Sequence, residues 1–136
     1  MGILGGGQLG RMLIQKAIDF NISTYVIDPD PDAPCRDLCT GFRVGNFKNF
    51  EEVMAFGESM DIITVEIEHV NVDALDELER MGKMVFPQPK ILRMIQDKGL
   101  QKEFYRLNSI PTAEFRLIER VDELQGFKDF LPVMQK

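Results

Sequence analysis

The chain has 136 residues, 44% of them hydrophobic, which is enough to bury one core and to begin a second domain. Its 22 acidic and 16 basic residues give a net charge of −6, and no lysine or arginine run could follow a phosphate backbone, so we expect no nucleic acid partner. No apolar stretch approaches the ~18–20 residues that cross a bilayer, and the start lacks the features of a signal peptide, so we expect a cytoplasmic protein with no membrane partner.

The amino-terminal part of the chain predicts a strand, a tight turn, a helix and a second strand. A short apolar stub ending at Leu4 leads directly into the glycine-rich residues 5–10. Apolar residues then recur at helical spacing as far as Phe20. The β-branched and aromatic residues 24–27 predict a second strand, which ends at Asp28 because the prolines that follow cannot donate to a strand ladder.

The same alternation continues as far as Phe86. Strands are predicted over residues 42–44, 61–67 and 84–86, and helices over residues 50–56 and 72–81. Because no hairpin signal joins the strands, the pattern predicts an α/β fold: a Rossmann-like parallel sheet with helices on both faces. Ligands of such sheets bind beyond the carboxyl ends of the strands, so the residues after Leu4, Ile27 and Thr64 are candidate site residues.

The pattern changes after Pro89, where we expect a second domain to begin. Helices are predicted over residues 91–95 and 98–107, an extended segment over 113–118, a charged helix over 121–130 and a strand over 131–136. We therefore divide the chain into a domain of residues 1–89 and the first part of another over residues 90–136. Because the chain stops inside a predicted strand, we expect it to be a fragment of a longer protein.

The glycine-rich segment is the first candidate site. Gly5, Gly7 and Gly10 have the G-x-G-x-x-G spacing of a turn that lets backbone N–H groups approach a polar or anionic ligand at the start of a helix. A purely structural turn is the alternative, but the position after the first strand of a parallel sheet favours a ligand. Gln8 and Leu9 then present the exposed backbone of the loop and one amide side chain.

Two carboxylates near the end of the fourth predicted strand form the second candidate site. Because side chains alternate along a strand, Glu66 and Glu68 are expected to share one face. Either they mark a solvated strand tip, or one of them accepts hydrogen bonds from a ligand hydroxyl or amine. We interpret His69 as a structural imidazole that caps this turn, and Cys35 and Cys39 as ordinary thiols, because their spacing lacks a second ligand pair for zinc.

The third candidate segment, residues 96–102, contains two lysines and two amides. Asp97 is expected to be the N-cap of a helix, and this segment would then be a solvated helix start. The alternative is that Lys98 reaches a nucleotide phosphate, a role for which the point charge of a lysine is suited.

Four segments in this order give a specific resemblance: GILGGGQLGRM at residues 2–12, DPDPDAP at 28–34, TVEIEHVN at 64–71, and QDK with QK at 96–98 and 101–102. The whole chain resembles the amino-terminal third of the N5-carboxyaminoimidazole ribonucleotide synthetases, ATP-grasp ligases of purine biosynthesis. The resemblance implies a pre-ATP-grasp domain followed by the beginning of an ATP-grasp domain. It also implies ATP-dependent carboxylation of 5-aminoimidazole ribonucleotide with bicarbonate, with release of ADP and phosphate.

The resemblance further implies which residues bind the substrates. The candidates for contact with the aminoimidazole ribonucleotide are Gly7, Gln8, Leu9, Glu66 and, as second choice, Glu68. Lys98 and Lys136 match basic residues that bind ATP. The ligands of magnesium are implied to lie beyond the end of this chain, so we expect the chain to be inactive alone and the complete protein to be a homodimer.

Two alternatives remain open from the sequence. A nicotinamide-dependent Rossmann oxidoreductase would share the glycine loop and would use Asp28, at the end of the second strand, to hold a ribose. That interpretation leaves Glu66, Glu68 and Lys98 without roles. A regulatory or assembly module that kept the fold and lost catalysis is the other alternative.

Overall fold

A computed structural model describes residues 1–118, 120, 122 and 123, which fall into two compact units. The first unit comprises Met1–Gln96, and the second begins at Asp97. Most of the predicted helix over residues 121–130 and all of the predicted strand over 131–136, with Lys136, lie outside the described residues. The division into domains at residues 89 and 90 stays a prediction.

The first unit is built on a parallel sheet. Its five strands are β1 Gly2–Leu4, β2 Tyr25–Asp28, β3 Gly41–Val44, β4 Ile62–Val65 and β5 Met84–Phe86. They lie in the order β3-β2-β1-β4-β5, and each neighbouring pair is parallel. The short strand β1 is central, and its Ile3 and Leu4 are fully buried. The predicted parallel α/β class is confirmed.

Helices cover both faces of this sheet. The helices are α1 Gln8–Asp19, α2 Phe50–Gly57, α3 Val72–Arg80 and α4 Pro89–Gln96 in the first unit, and α5 Lys98–Leu107 in the second. Because successive strand residues point to opposite faces, Ile3 joins a small apolar cluster with Ile14 of α1, whereas Leu4 joins a larger one with Val53 of α2 and Leu75 of α3. The predicted helices on both faces are therefore present.

The fourth strand is shorter than predicted. It ends at Val65, where the backbone N–H of Glu66 still donates to the Leu4 carbonyl at 2.8 Å before the chain bends through residues 66–68. The expectation that Glu66 and Glu68 lie on this strand and share one of its faces is therefore wrong. Ile67 made the strand look longer in the sequence because it is apolar. In the structure it lies in the bend, where its side chain packs against the larger apolar cluster and its backbone is not paired in the sheet.

The second unit confirms one predicted cap. The Asp97 carboxylate accepts hydrogen bonds from the backbone N–H groups of Gly99 at 2.8 Å and Leu100 at 3.0 Å, which is the geometry of an N-cap. Residues 111–118 form neither helix nor strand. Among the residues described, no helix has the length and apolar character needed to cross a membrane.

Candidate functional site

The glycine-rich segment joins β1 to α1 at the carboxyl end of the central strand. Gly5 has a φ of +99°, a conformation that side-chain-bearing residues rarely adopt, and its N–H donates to the Ile27 carbonyl at 3.0 Å. Helix α1 begins at Gln8, after Gly7 as the N-cap residue. Gln8 and Leu9 therefore belong to the first helical turn and not, as predicted, to the loop.

This first helical turn faces outward. The side chains of Gln8 and Leu9 are exposed, Leu9 to 66%. Backbone N–H groups in the first turn of a helix have no partner within the helix, and the positive end of the helix dipole lies there. No acidic side chain occupies the first turn of α1, and Gly7 provides no side-chain cap. The turn can therefore donate hydrogen bonds to a polar or anionic ligand.

Glu66 lies directly against the glycines of this segment. A Cβ added at Gly7 would be 2.6 Å from Oε1 of Glu66, one at Gly5 would be 3.0 Å from Oε2, and one at Gly10 would be 3.3 Å from Cγ. These distances are too short for a side chain at Gly7 without movement of Glu66. The glycines thus make room for a carboxylate of the protein itself, and the loop and Glu66 meet at the carboxyl ends of β1 and β4.

The Glu66 carboxylate is left with acceptor capacity. It is half-buried, and within the part of the chain that the structure describes no group donates a hydrogen bond to it. A carboxylate can accept at two oxygens, so this arrangement suits a ligand that brings its own donors, such as hydroxyl or amine groups.

Asp28 contacts the other side of the glycine loop. Its Oδ2 accepts the backbone N–H of Gly6 at 2.6 Å, and its Oδ1 accepts the backbone N–H of Asp30 at 2.8 Å. Both carboxylate oxygens are therefore bonded within the protein. These two bonds give Asp28 a structural role at the loop that the oxidoreductase alternative did not include.

Cys35 adds two further bonds to the loop. Its backbone N–H donates to the Gly6 carbonyl at 3.0 Å, and its Sγ lies 3.5 Å from the Gly7 carbonyl oxygen. The thiol is fully buried, and burial is the main reason that its pKa is raised to about 11. Burial also raises the pKa of Cys39. Both cysteines are free thiols, and Cys35 is in addition a structural partner of the loop.

Gln96 holds the bend that follows Glu66. Its Nε2 donates to the backbone carbonyls of Glu68 at 2.7 Å and Val70 at 2.9 Å. The Glu68 carboxylate lies 3.9 Å from Nε2 of His69; the His69 side chain is exposed, and that of Glu68 is half-buried. His69 is thus a surface residue, and the predicted role of Glu68 in substrate binding is not tested by this geometry. Nothing in the sequence pattern had distinguished Gln96 from a solvated amide.

Two further candidates, Lys98 and Lys136, are not part of the first unit. Lys98 is the first residue of α5, in the second unit, and Lys136 is outside the described residues, so their roles in ATP binding stay predictions. Among the described side chains, no group of three or more His, Cys, Asp or Glu could hold a metal ion. We therefore assign no magnesium site to the described residues.

The structure defines an α/β domain in which a glycine loop and a carboxylate meet at the ends of parallel strands, where ligands of such sheets bind. The sequence model of the ribonucleotide synthetase preATP-grasp domain matches residues 1–96. The chain belongs to this family.

Relatives with longer chains agree with this assignment. The chloroplastic phosphoribosylaminoimidazole carboxylase of Vigna aconitifolia is 40% identical over 128 residues, which cover 94% of this chain and 22% of the relative. The crystal structure of N5-carboxyaminoimidazole ribonucleotide synthetase from Thermotoga maritima aligns with a TM-score of 0.84 at 33% identity and covers 95% of this chain and 35% of that protein.

A third relative carries bound ligands. The N5-carboxyaminoimidazole synthase of Aspergillus clavatus, in complex with ADP and 5-aminoimidazole ribonucleotide, aligns with a TM-score of 0.79 at 36% identity, over 96% of this chain and 35% of that protein. The chain thus spans between about a fifth and about a third of the length of these relatives.

Proposed function

We propose that the full-length protein to which this chain belongs carboxylates 5-aminoimidazole ribonucleotide. ATP and bicarbonate form carboxyphosphate and ADP; the exocyclic amine then attacks the carboxyl carbon, phosphate leaves, and N5-carboxyaminoimidazole ribonucleotide is formed. The observation that carries this proposal is the contact between Glu66 and the glycine loop, which pairs a hydrogen-bond acceptor with the donors of a helix start. The names of the Thermotoga and Aspergillus relatives support the same reaction.

In this proposal the chain supplies one side of the ribonucleotide site. The backbone at Gly7, Gln8 and Leu9 donates to polar or anionic groups of the ribonucleotide, because the free N–H groups of the first turn of α1 point away from the helix. Glu66 accepts a hydrogen bond from a hydroxyl or amine group, and Glu68 is the second candidate for such a contact. Fixing an amine nucleophile in this way lowers the entropic part of the barrier to its attack.

The nucleotide side of the site is proposed on fewer observations. We assign ATP contacts to Lys98 and Lys136, and the ADP bound to the Aspergillus relative supports a nucleotide site in the full-length protein. Magnesium would neutralise charge on the phosphates during phosphoryl transfer, but its ligands are not assigned to the described residues. The use of bicarbonate, the homodimer and the cytoplasmic location all stay predictions.

The nicotinamide-dependent oxidoreductase is not favoured. The carboxylate that it would use to hold a ribose, Asp28, is bonded to Gly6 and Asp30 through both of its oxygens. The relatives reported above are named as carboxylases or as carboxyaminoimidazole ribonucleotide synthetases.

The proposal is tested by an assay of ADP release with the full-length protein. We expect release to require both bicarbonate and aminoimidazole ribonucleotide. Glu66→Gln should raise the KM for the ribonucleotide by about tenfold or more, the value of one charge-assisted hydrogen bond, and leave the KM for ATP near normal. Lys98→Ala is the matched control: it should raise the KM for ATP and leave the KM for the ribonucleotide near normal.

Two results would contradict this function. One is ADP release that does not depend on the ribonucleotide. The other is saturable binding of a nicotinamide cofactor by the wild-type protein, which would instead favour the oxidoreductase.

A further inference from the structure

We propose that Asp28 is a positioning residue, which fixes the glycine loop relative to Glu66 without touching the substrate; this role rests on the function proposed above. The Asp28 carboxylate accepts the Gly6 N–H at 2.6 Å across 22 residues of sequence. A hydrogen bond to an ionised carboxylate is stronger than one between neutral groups, so this contact determines where the loop lies.

The Gly6 residue is held on both sides by one segment, residues 28–35. Asp28 accepts its N–H, and the N–H of Cys35 donates to its carbonyl at 3.0 Å. The segment is braced internally, because Oδ1 of Asp28 accepts the N–H of Asp30 at 2.8 Å and the Asp30 carbonyl accepts the N–H of Ala33 at 3.2 Å. A change at Asp28 is therefore transmitted to the loop and not absorbed by the segment.

Packing at Gly6 is equally close. A Cβ added there would lie 3.0 Å from Cβ of Ala33, 3.3 Å from Cβ of Asp28 and 3.3 Å from Cγ1 of Val26. The loop thus lies in van der Waals contact with the segment that holds it, so that its position has little freedom.

The next residue of the loop faces the site. A Cβ at Gly7 would be 2.6 Å from Oε1 of Glu66, so a shift of a few tenths of an ångström at Gly6 changes the space between loop and carboxylate. Because the first turn of α1 starts at this point, the same shift moves the N–H donors of Gln8 and Leu9. Asp28 therefore sets the separation between the donors and the acceptor of the proposed ribonucleotide site.

The test compares Asp28→Asn with Asp30→Asn in the full-length protein. Both variants remove one negative charge, two residues apart. Asp28→Asn leaves one oxygen for the two N–H groups that Asp28 now accepts, whereas Asp30→Asn keeps an oxygen for the single N–H, of Asp32 at 2.9 Å, that Oδ1 of Asp30 accepts.

Two measurements are made on each variant. Hydrogen–deuterium exchange of the peptide containing Gly6 reports the hydrogen bond itself, and steady-state kinetics give the KM for aminoimidazole ribonucleotide and for ATP. For Asp28→Asn we expect faster exchange and an increase of about tenfold in the KM for the ribonucleotide, with the KM for ATP within about twofold of the wild-type value. Asp30→Asn should behave as the wild type in both measurements.

The other possible results contradict either the hydrogen bond between Asp28 and Gly6 or the positioning role of Asp28. Unchanged exchange in Asp28→Asn overturns the hydrogen bond, and faster exchange with an unchanged KM for the ribonucleotide overturns the positioning role. If Asp28→Asn does not fold, Gly6→Ala tests the same contact, and an unchanged KM for the ribonucleotide in that variant overturns the proposal. A wild-type protein that releases no ADP in response to the ribonucleotide overturns the proposed function and the positioning role together, while the exchange result still decides the hydrogen bond.

Discussion

The two sides of the candidate site are held by different means. On the loop side, the backbone of Gly5 and Gly6 is fixed by hydrogen bonds to Ile27, Asp28 and Cys35. On the opposite side, the Gln96 amide donates hydrogen bonds to backbone carbonyls of the bend after β4. The Glu66 carboxylate itself receives no hydrogen bond from the residues that the structure describes.

In the site that we propose, the two sides have complementary roles. The loop fixes the first turn of α1, which presents N–H donors, and the bend presents the Glu66 carboxylate as an acceptor. We expect a ligand with both donors and acceptors to bind there without rearrangement of the backbone, which reduces the entropic cost of binding. Mutations on the loop side should accordingly affect stability as well as binding, and mutation of the Glu66 side chain should affect binding alone.

The largest effect on the loop side is expected from Gly5→Ala. The substitution places a side chain at a φ of +99° and within about 3 Å of Glu66, so we expect a loss of about 2–4 kcal/mol in the free energy of unfolding, from backbone strain and overpacking together. Urea unfolding of the full-length protein measures this loss.

Gly82→Ala is the matched control for Gly5→Ala. Gly82 has a similar φ of +87°, but an added Cβ there would meet nothing within 4 Å. The control should lose only the strain of the backbone, about 1 kcal/mol. Equal losses in the two variants would show that the contact with Glu66 adds nothing.

A smaller effect is expected on the side of the bend. Gln96→Ala removes two hydrogen bonds to the carbonyls of Glu68 and Val70, so we expect a loss of about 1–2 kcal/mol in stability and a severalfold higher KM for aminoimidazole ribonucleotide. Gln88→Ala, at an exposed residue just before α4, is the control and should change neither quantity. If both variants behave alike, Gln96 does not hold the bend.

Much of the fold could be predicted because local pattern and tertiary structure agree. The boundaries of α5 and its Asp97 cap follow from apolar spacing and the cap residue alone. The end of β4 could not be predicted. Ile67 continues the apolar alternation of the strand, although in the structure it lies in a bend and packs its side chain against the larger cluster. A sequence pattern reports that a side chain is apolar but not whether its backbone is paired.

The contacts within the site were harder to predict. The glycine spacing indicated that some group comes close to the loop. It did not indicate that this group is the carboxylate of Glu66, some sixty residues later in the sequence. Asp28 was expected to face a ligand only in the oxidoreductase alternative, and its bond to Gly6 depends on how β1 and β2 are placed side by side. Such bonds join residues distant in sequence, so spacing alone does not reveal them.

A double-mutant cycle with Gly7→Ala and Glu66→Gln tests most directly whether the loop and the carboxylate form one ribonucleotide site. The affinity of the full-length protein for 5-aminoimidazole ribonucleotide is measured by calorimetry for the wild type, both single variants and the double variant. We predict that each single change weakens binding and that the double change weakens it little more than the stronger single one, a coupling of about 1 kcal/mol or more. Additive effects, or no effect of either change, would contradict a shared site.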